Sequence, residues 1–359
     1  MSSPAAVYPE GAPCWADVLL NDVEAGRRFY GELFGWTFPA ATLPGPGGAD
    51  EARLDGGRVA ALVRKSDGRL PTTWTVYFAT PHVQATLAKI RAAGGRPMGG
   101  PTPVDGHGVA ATAVDPGGAV FGLWQPGRHT GFDRRVEAGS FLWAEVHTRQ
   151  TAAVDTFYAQ VFGYRMTSLP PEDEGPERRT PADPPPEPPG GRSGPLLTRP
   201  SPWGAVRSGT GSAGHWFERP APAAPPVEDG SGAAGESRTD TGDAGDAGDT
   251  GDTGDTGDAG EDASFAHRVV LWVLPNDPVD VEHAVAGRVL MDPSLPAELP
   301  ASFLVYFAVT DCDEAVRTAE RLGGRVRREP VTTRFGRHAV LVDNQGAVFA
   351  VMDVETTSA

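Results

Sequence analysis

The sequence has few cysteines, no long apolar run and no basic leader. Its 359 residues include only two cysteines, Cys14 and Cys312. A disulfide framework is therefore excluded, and a reduced, cytoplasmic setting is expected. The longest apolar stretches, such as residues 303–309, are far shorter than the roughly 18 residues of a membrane span. The first residues also lack the pattern of a secretory signal. We therefore expect no membrane partner.

Basic residues are also scarce. The chain has 31 lysines and arginines against 47 aspartates and glutamates, a formal net charge of −16. A nucleic-acid partner is not expected, because such a protein needs a basic face. Much of the acidic excess is local, since residues 228–262 hold twelve acidic residues and one basic residue, Arg238.

Proline and glycine are concentrated in one region. Nine of the twenty positions in 170–189 are proline, and glycine recurs at every third position in 242–260. Such composition buries too little apolar surface to offset the entropy of ordering. We predict a long, disordered, acidic and proline-rich insertion at about 170–263.

The remainder of the chain is an internal repeat. Residues 22–36 match residues 151–164 at an offset of 128, which aligns Tyr30 with Tyr158. Residues 114–124 match residues 342–352 at an offset of 228, which aligns Asp115 with Asp343. The second copy is therefore about 100 residues longer, as the insertion requires. Each copy reads as two β-α-β-β-β units, because alternating strands are followed by capped, amphipathic helices.

Four motifs carry a family resemblance: FYGELFGW, FYAQVFGY, DPGGAVFGLW and DNQGAVFAV. With them the chain resembles the vicinal oxygen chelate superfamily, which includes glyoxalase I, bleomycin resistance proteins and extradiol dioxygenases. It is most similar to two-domain, glyoxalase-like proteins of the hydroxylase type. The resemblance implies an α+β fold of tandem domains. Each would have two βαβββ units that form a cupped mixed sheet with helices outside.

The domain boundaries follow from the repeat and the resemblance. The first glyoxalase-like domain is expected at 12–127, a linker at 128–138 and the second domain at 139–354, interrupted by the insertion at about 170–263. The resemblance covers nearly all of the chain outside that insertion.

The resemblance also implies where a divalent metal would bind. Enzymes of the superfamily hold one with His, Gln or Glu side chains from matched strands of the cup. The positions matching those ligands are occupied by residues that are not usual metal ligands: Trp15, Ala61, Thr75, Gly122, Trp143, Gly287, Leu304 and Ala350. We therefore predict no cofactor. A divalent metal would need a non-standard site, made by Glu145 and His147 with a third ligand such as His338 or the pair at 282–283.

Strand alternation places a different set of side chains inside the cups. The expected ligand-binding residues are aromatic or acidic: Trp15, Asp17, Tyr77, Trp124, Trp143, Glu145 and Tyr306. Such a surface suits a small aromatic or cationic molecule. The alternative is an enzyme, a lyase, isomerase or oxygenase, in which Glu145 and His147 are the catalytic residues. Two further interpretations remain open: the aromatic residues only fill the cups, or the acidic insertion binds a partner.

Deletion of residues 170–263 tests the predicted insertion. We expect the shortened chain to keep the circular dichroism spectrum, thermal transition and small-molecule binding of the full chain, because the deleted residues belong to neither domain core. Loss of the cooperative thermal transition would contradict the prediction.

Overall fold

The computed structural model describes residues 8–39, 49–168, 269–333 and 335–354. The predicted insertion at about 170–263 lies outside the described residues. Within the described ranges, no helix combines the length and the apolar character needed to cross a membrane.

Each half of the chain forms one mixed sheet of eight strands. The elements of the first half are β1 (Pro13–Leu20), α1 (Val23–Phe34), β2 (Ala49–Leu54), β3 (Gly57–Arg64), β4 (Trp74–Ala79), α2 (Val83–Ala92), β5 (Arg96–Pro97), β6 (Thr102–Val104), β7 (Gly108–Val114) and β8 (Val120–Pro126). The elements of the second half are β9 (Phe141–Thr148), α3 (Thr151–Phe162), β10 (Arg165–Ser168), β11 (Val269–Val273), β12 (Ala284–Leu290), β13 (Ser302–Val309), α4 (Cys312–Arg321), β14 (Arg325–Thr333), β15 (Gly336–Val342) and β16 (Val348–Asp353).

The two sheets share one topology. The first has the order β2-β3-β1-β4-β8-β7-β5, with β6 also paired to β7, and the second has the order β10-β11-β12-β9-β13-β16-β15-β14. In both, the opening strands of the two units pair antiparallel at the centre, and each also pairs in parallel with the last strand of its own unit. The tandem α+β fold with cupped mixed sheets is therefore confirmed. Outside the named strands, Thr37 forms an isolated antiparallel bridge with Arg53.

Local sequence explains the helix boundaries. Asp22 precedes α1 in an extended conformation, and its carboxylate accepts a hydrogen bond from the Ala25 N–H at 3.0 Å. This caps one of the N–H groups that a helix start leaves without a partner. Gly94 and Gly323 follow α2 and α4 with φ of +89° and +85°, a backbone conformation that favours glycine.

The helix-bearing faces of the two sheets pack against each other. Trp74 of β4 lies against Phe307 of β13, with ring centroids 4.8 Å apart, and Phe78 lies against Phe303 at 5.7 Å. In strand β1 the residues on this side, such as Ala16, are fully buried. Each strand thus gives one side to a shared apolar interior, and the two cups lie on the opposite sides of the sheets.

Two tyrosine–aspartate pairs join the halves. The hydroxyl of Tyr30 in α1 donates to Asp343 at 2.8 Å, and it accepts from the indole N–H of Trp74 at 3.2 Å. The hydroxyl of Tyr158 in α3 donates to Asp115 at 3.4 Å. The repeated FY and DP/DN motifs therefore bind across the interface: each helix tyrosine reaches the turn before the last strand of the other half.

Removing these hydroxyl groups should destabilise the protein unequally. Tyr30→Phe leaves both Asp343 and the Trp74 indole without this partner, so we expect its free energy of unfolding to fall by about 1–3 kcal/mol. Tyr158→Phe is the matched control and should cost less, because its bond to Asp115 is longer. Urea denaturation measures both. An equal or larger loss for Tyr158→Phe would contradict the interpretation.

Candidate functional site

The centre of the first sheet brings three of the predicted site residues together. Trp15 of β1 is paired with Tyr77 of β4, and Asp17 is paired with Thr75. Because side chains alternate along a strand, Trp15, Asp17 and Tyr77 share the cup side of the sheet. Trp124 of β8 lies on the same side, next to Tyr77 and Gly122 in the parallel pairing of β4 with β8. We call this surface the first cup.

A carboxyl–tyrosine pair lies in the first cup. The hydroxyl of Tyr77 donates to the Oδ2 of Asp17 at 2.7 Å. Burial raises the pKa of Asp17 to about 7, an effect that the hydrogen bond from Tyr77 opposes without cancelling. Burial and the neighbouring Asp17 also raise the pKa of Tyr77 well above its usual value. Asp17 can therefore gain or lose a proton near neutral pH, while Tyr77 stays protonated.

The Tyr77 ring lies over Gly122. A Cβ atom at position 122 would come within 2.2 Å of that ring, so the ring occupies the space of a larger side chain. Gly122 is one of the positions at which the family resemblance implies a metal ligand. In this chain the Tyr77 ring therefore occupies the place where a metal-binding side chain is expected.

The second sheet repeats the pair with a different residue set. The hydroxyl of Tyr306 in β13 donates to the Oε1 of Glu145 at 2.8 Å. The Nε2 of His147 lies 2.9 Å from the same oxygen. Trp143 lies over Gly287, where an added Cβ would be 3.2 Å from its ring. Together with Met352 of β16, these side chains form the second cup.

The two cups differ in exposure. Glu145 is 4% exposed and Tyr306 is 1% exposed, whereas Asp17 and Tyr77 are both half-buried. The carboxyl–tyrosine pair is thus buried in the second cup, whereas the pair in the first cup is partly exposed to solvent. A molecule from solution would reach the carboxyl–tyrosine pair of the first cup more easily.

The second cup also contains a positive charge. Burial lowers the pKa of Arg328 despite the attraction of Tyr306 and Glu145. Burial and the Arg328 charge lower the pKa of His338 to about 4, so this imidazole is neutral. A divalent cation beside Glu145 would be repelled by Arg328, which disfavours the non-standard metal site considered for Glu145 and His147.

The described residues do not fit the divalent metal that the family resemblance implies. Among them, no three His, Cys, Asp or Glu side chains are grouped closely enough to hold a metal ion. His338 faces the second cup, but His283 binds Asp280 at 2.7 Å. The polar chemistry shared by the two cups is therefore that of the carboxyl–tyrosine pairs, to which the second cup adds His147, His338 and Arg328.

Two side chains of the first cup, His129 and Glu51, were not predicted from the sequence. His129 belongs to the predicted linker, yet its ring lies edge-on against Trp15 with centroids 4.4 Å apart. The Nε1 of Trp124 donates to the His129 carbonyl at 2.8 Å. Glu51 of β2 is buried and faces the same cup, because it is paired with Ala61, which is paired with Asp17. The sequence does not indicate a site role for His129, because the segment around it has no hydrophobic periodicity. It does not indicate one for Glu51 either, because this is an isolated acidic residue in an edge strand.

Comparison with known proteins places these features in context. Residues 15–123 match the family model described as the Glyoxalase/Bleomycin resistance protein/Dioxygenase superfamily. The anthracycline biosynthesis protein DnrV of Streptomyces peucetius is 28% identical over 363 residues, covering 97% of this chain and 94% of DnrV. CFP32 of Mycobacterium bovis is 34% identical over 166 residues, covering 45% of this chain and 64% of CFP32. The 2,3-dioxygenase LapB of Pseudomonas sp. KL28 superposes with a TM-score of 0.50 at 11% identity, covering 96% and 93% of the two chains. That last likeness concerns the fold alone.

The pKa of Asp17 predicts a pH dependence of stability. An unfolded chain releases this proton near the usual aspartate pKa of 3.8, while the folded chain keeps it up to about pH 7. Stability therefore falls as the pH rises through this window, and the loss persists above it. Asp17→Asn removes the effect, so its Tm relative to the parent should be higher at pH 8 than at pH 4.5.

Asp133→Asn is the control with the opposite sign. The Arg58 guanidinium holds the pKa of Asp133 below its usual value, so the ion pair stabilises the fold at neutral pH and is lost on acidification. Asp133→Asn should therefore lower Tm at pH 8 more than at low pH. A Tm difference for Asp17→Asn that is the same at pH 4.5 and pH 8 would refute the assignment.

Proposed function

The chain belongs to the Glyoxalase/Bleomycin resistance protein/Dioxygenase superfamily, and on that premise we propose that its first cup binds a small planar aromatic molecule without a divalent metal. The observation that carries this proposal is the half-buried pair of Asp17 and Tyr77 on an aromatic-lined concave sheet. Ligand sites of this kind combine apolar walls with a few polar groups that fix the orientation.

The side chains around the pair suit a flat ring. Trp15 and Trp124 are 5% and 7% exposed, so they form the packed wall of the cup. Tyr77, whose ring lies over Gly122, is the half-buried aromatic residue of this set. Aromatic rings favour offset stacking on such a surface. Above pH 7 the ionised Asp17 would add attraction for a cationic group.

The likeness to DnrV supports the same ligand class. That protein is named for anthracycline biosynthesis and aligns with nearly the whole of this chain. Anthracyclines are polycyclic aromatic compounds, so a relative of that pathway is consistent with a planar aromatic ligand here.

Acid–base catalysis on the bound molecule is the second candidate function. A pKa of about 7 at Asp17 matches the value at which a general acid or base works best at neutral pH. The Tyr77 hydroxyl would hold the carboxyl in place while a proton passes between Asp17 and the ligand. Asp17 is a stronger candidate than Glu145, because Tyr306 and His147 both lie on the same Glu145 oxygen and cover it.

A cationic aromatic probe tests binding at the first cup. We expect 1-naphthylmethylamine to bind the full chain, and to bind more tightly as the pH rises from 6 to 8, because Asp17 becomes ionised. Equilibrium dialysis gives the dissociation constants. Asp17→Asn should abolish the pH dependence, and the matched variant of the second cup, Glu145→Gln, should retain it.

Three outcomes would overturn this proposal. One is the absence of binding at any pH, and another is a pH dependence that Glu145→Gln removes and Asp17→Asn does not. Stoichiometric zinc, iron or manganese in elemental analysis of the purified chain would overturn its metal-free part.

Proton exchange in heavy water tests the catalytic candidate. Asp17 acting as a general acid and base should accelerate deuterium incorporation at C1 of bound 2-naphthol, the carbon next to the one that bears the hydroxyl. Proton NMR follows the loss of the C1 signal. An exchange rate that Asp17→Asn leaves unchanged would rule out this role for Asp17.

A further inference from the structure

The segment between the two halves crosses the first cup and is held there by backbone contacts. The N–H groups of Gly127 and His129 donate to the carbonyl of His107 at 2.8 and 3.0 Å. The Phe132 N–H donates to the Cys14 carbonyl at 2.8 Å. These contacts, with the Trp124 bond to the His129 carbonyl, fix the His129 imidazole against Trp15. Its position is therefore set by the fold and not by a flexible surface chain.

The protonation state of His129 follows from its surroundings. The N–H of Gly131 donates to Nδ1 at 3.2 Å, so Nδ1 is an acceptor and the ring proton lies on Nε2. Burial, with a contribution from the Arg58 charge, lowers the pKa of His129 to about 3. The imidazole is therefore a neutral donor and makes no ion pair with a carboxylate.

The Nε2–H group of His129 lacks an acceptor within the described part of the chain. His129 is 2% exposed, and its Nε2 has no hydrogen-bond partner among the described residues. The nearest carboxylate atom, the Oε2 of Glu51, is 3.9 Å away, too far for a direct hydrogen bond. The Oε1 of Glu51 binds the Arg53 guanidinium, so Oε2 is the oxygen that faces the imidazole. Buried donors without partners are rare in folded proteins and call for an explanation.

A hydroxyl group satisfies both atoms at once. A hydroxyl oxygen accepts one hydrogen bond and donates another, which matches a neutral N–H donor facing a carboxylate acceptor. An oxygen about 2.8 Å from each atom is geometrically compatible with their separation. A carbonyl would suit only His129, and an ammonium would suit only Glu51.

We infer that His129 and Glu51 bind a hydroxyl group of the aromatic ligand, so that the first cup selects a phenol over the same ring without its hydroxyl. This inference rests on the proposed function, because it places the second polar contact of the same ligand. His129 and Glu51 act as specificity-determining residues that bind the hydroxyl group. Asp17 and Tyr77 contact another part of the ligand.

A pair of isosteric probes tests the inference on the full chain. Equilibrium dialysis compares 2-naphthol with 2-methylnaphthalene, which carries a methyl group in place of the hydroxyl. We expect 2-naphthol to bind the parent chain at least about tenfold more tightly, since the analogue leaves buried polar groups unpaired. His129→Phe should reduce this preference to about threefold or less, because it keeps the ring and loses the donor.

Two further variants separate recognition from structural damage. His129→Gln should restore most of the preference, because its side-chain amide presents an N–H at a similar reach. His82→Phe changes an exposed histidine at the start of α2 and should leave the preference unchanged. Equal binding of the two probes by the parent chain, or an unchanged preference in His129→Phe, would overturn the inference and leave the proposed aromatic site standing. Failure of both probes to bind the parent chain would overturn the proposed function as well.

Discussion

The apolar interior shared by the two sheets decides where polar chemistry can exist in this protein. Every central strand gives one side to that interior, where Trp74, Phe78, Phe303 and Phe307 meet. Since side chains alternate, the other side of the same strand faces a cup and is free to carry acids and hydroxyls. Because the halves share this interior, each sheet has its cup on the opposite side. The two helix tyrosines, Tyr30 and Tyr158, form hydrogen bonds that join the halves.

The two halves of the internal repeat form two cups with the same carboxyl–tyrosine pair in different surroundings. Asp17 with Tyr77 and Glu145 with Tyr306 occupy matched positions and make the same hydrogen bond. In the second cup the carboxylate also contacts His147 and lies near the half-buried Arg328, and its pair is buried. In the first cup the pair remains half-buried, with a carboxyl that titrates near neutrality. The carboxyl–tyrosine pair of the first cup is therefore the more exposed of the two.

The absence of chelating side chains at the expected positions has a structural counterpart. Gly122 and Gly287 stand where the superfamily resemblance implies ligands, and aromatic rings lie over both. A ring in that space gives the cup an apolar surface in place of a charged centre. At the margin of the first cup, the described residues offer hydrogen-bonding groups: the carboxyl–tyrosine pair and the Nε2 donor of His129.

Local patterning determined most of the architecture. The repeated motifs around Tyr30 and Tyr158, the alternation of β1 and β9 and the glycine stops at Gly94 and Gly323 predict the tandem fold, because each depends on neighbouring residues alone. The same alternation placed Asp17 and Tyr77 on one side of the sheet. Only the tertiary structure decided what the motifs do across the interface, which cup stays open and which pKa moves toward neutrality. It alone showed that His129 of the linker lies against Trp15 and opposite Glu51. Burial and long-range contacts depend on how distant segments pack, and local sequence patterns do not contain that information.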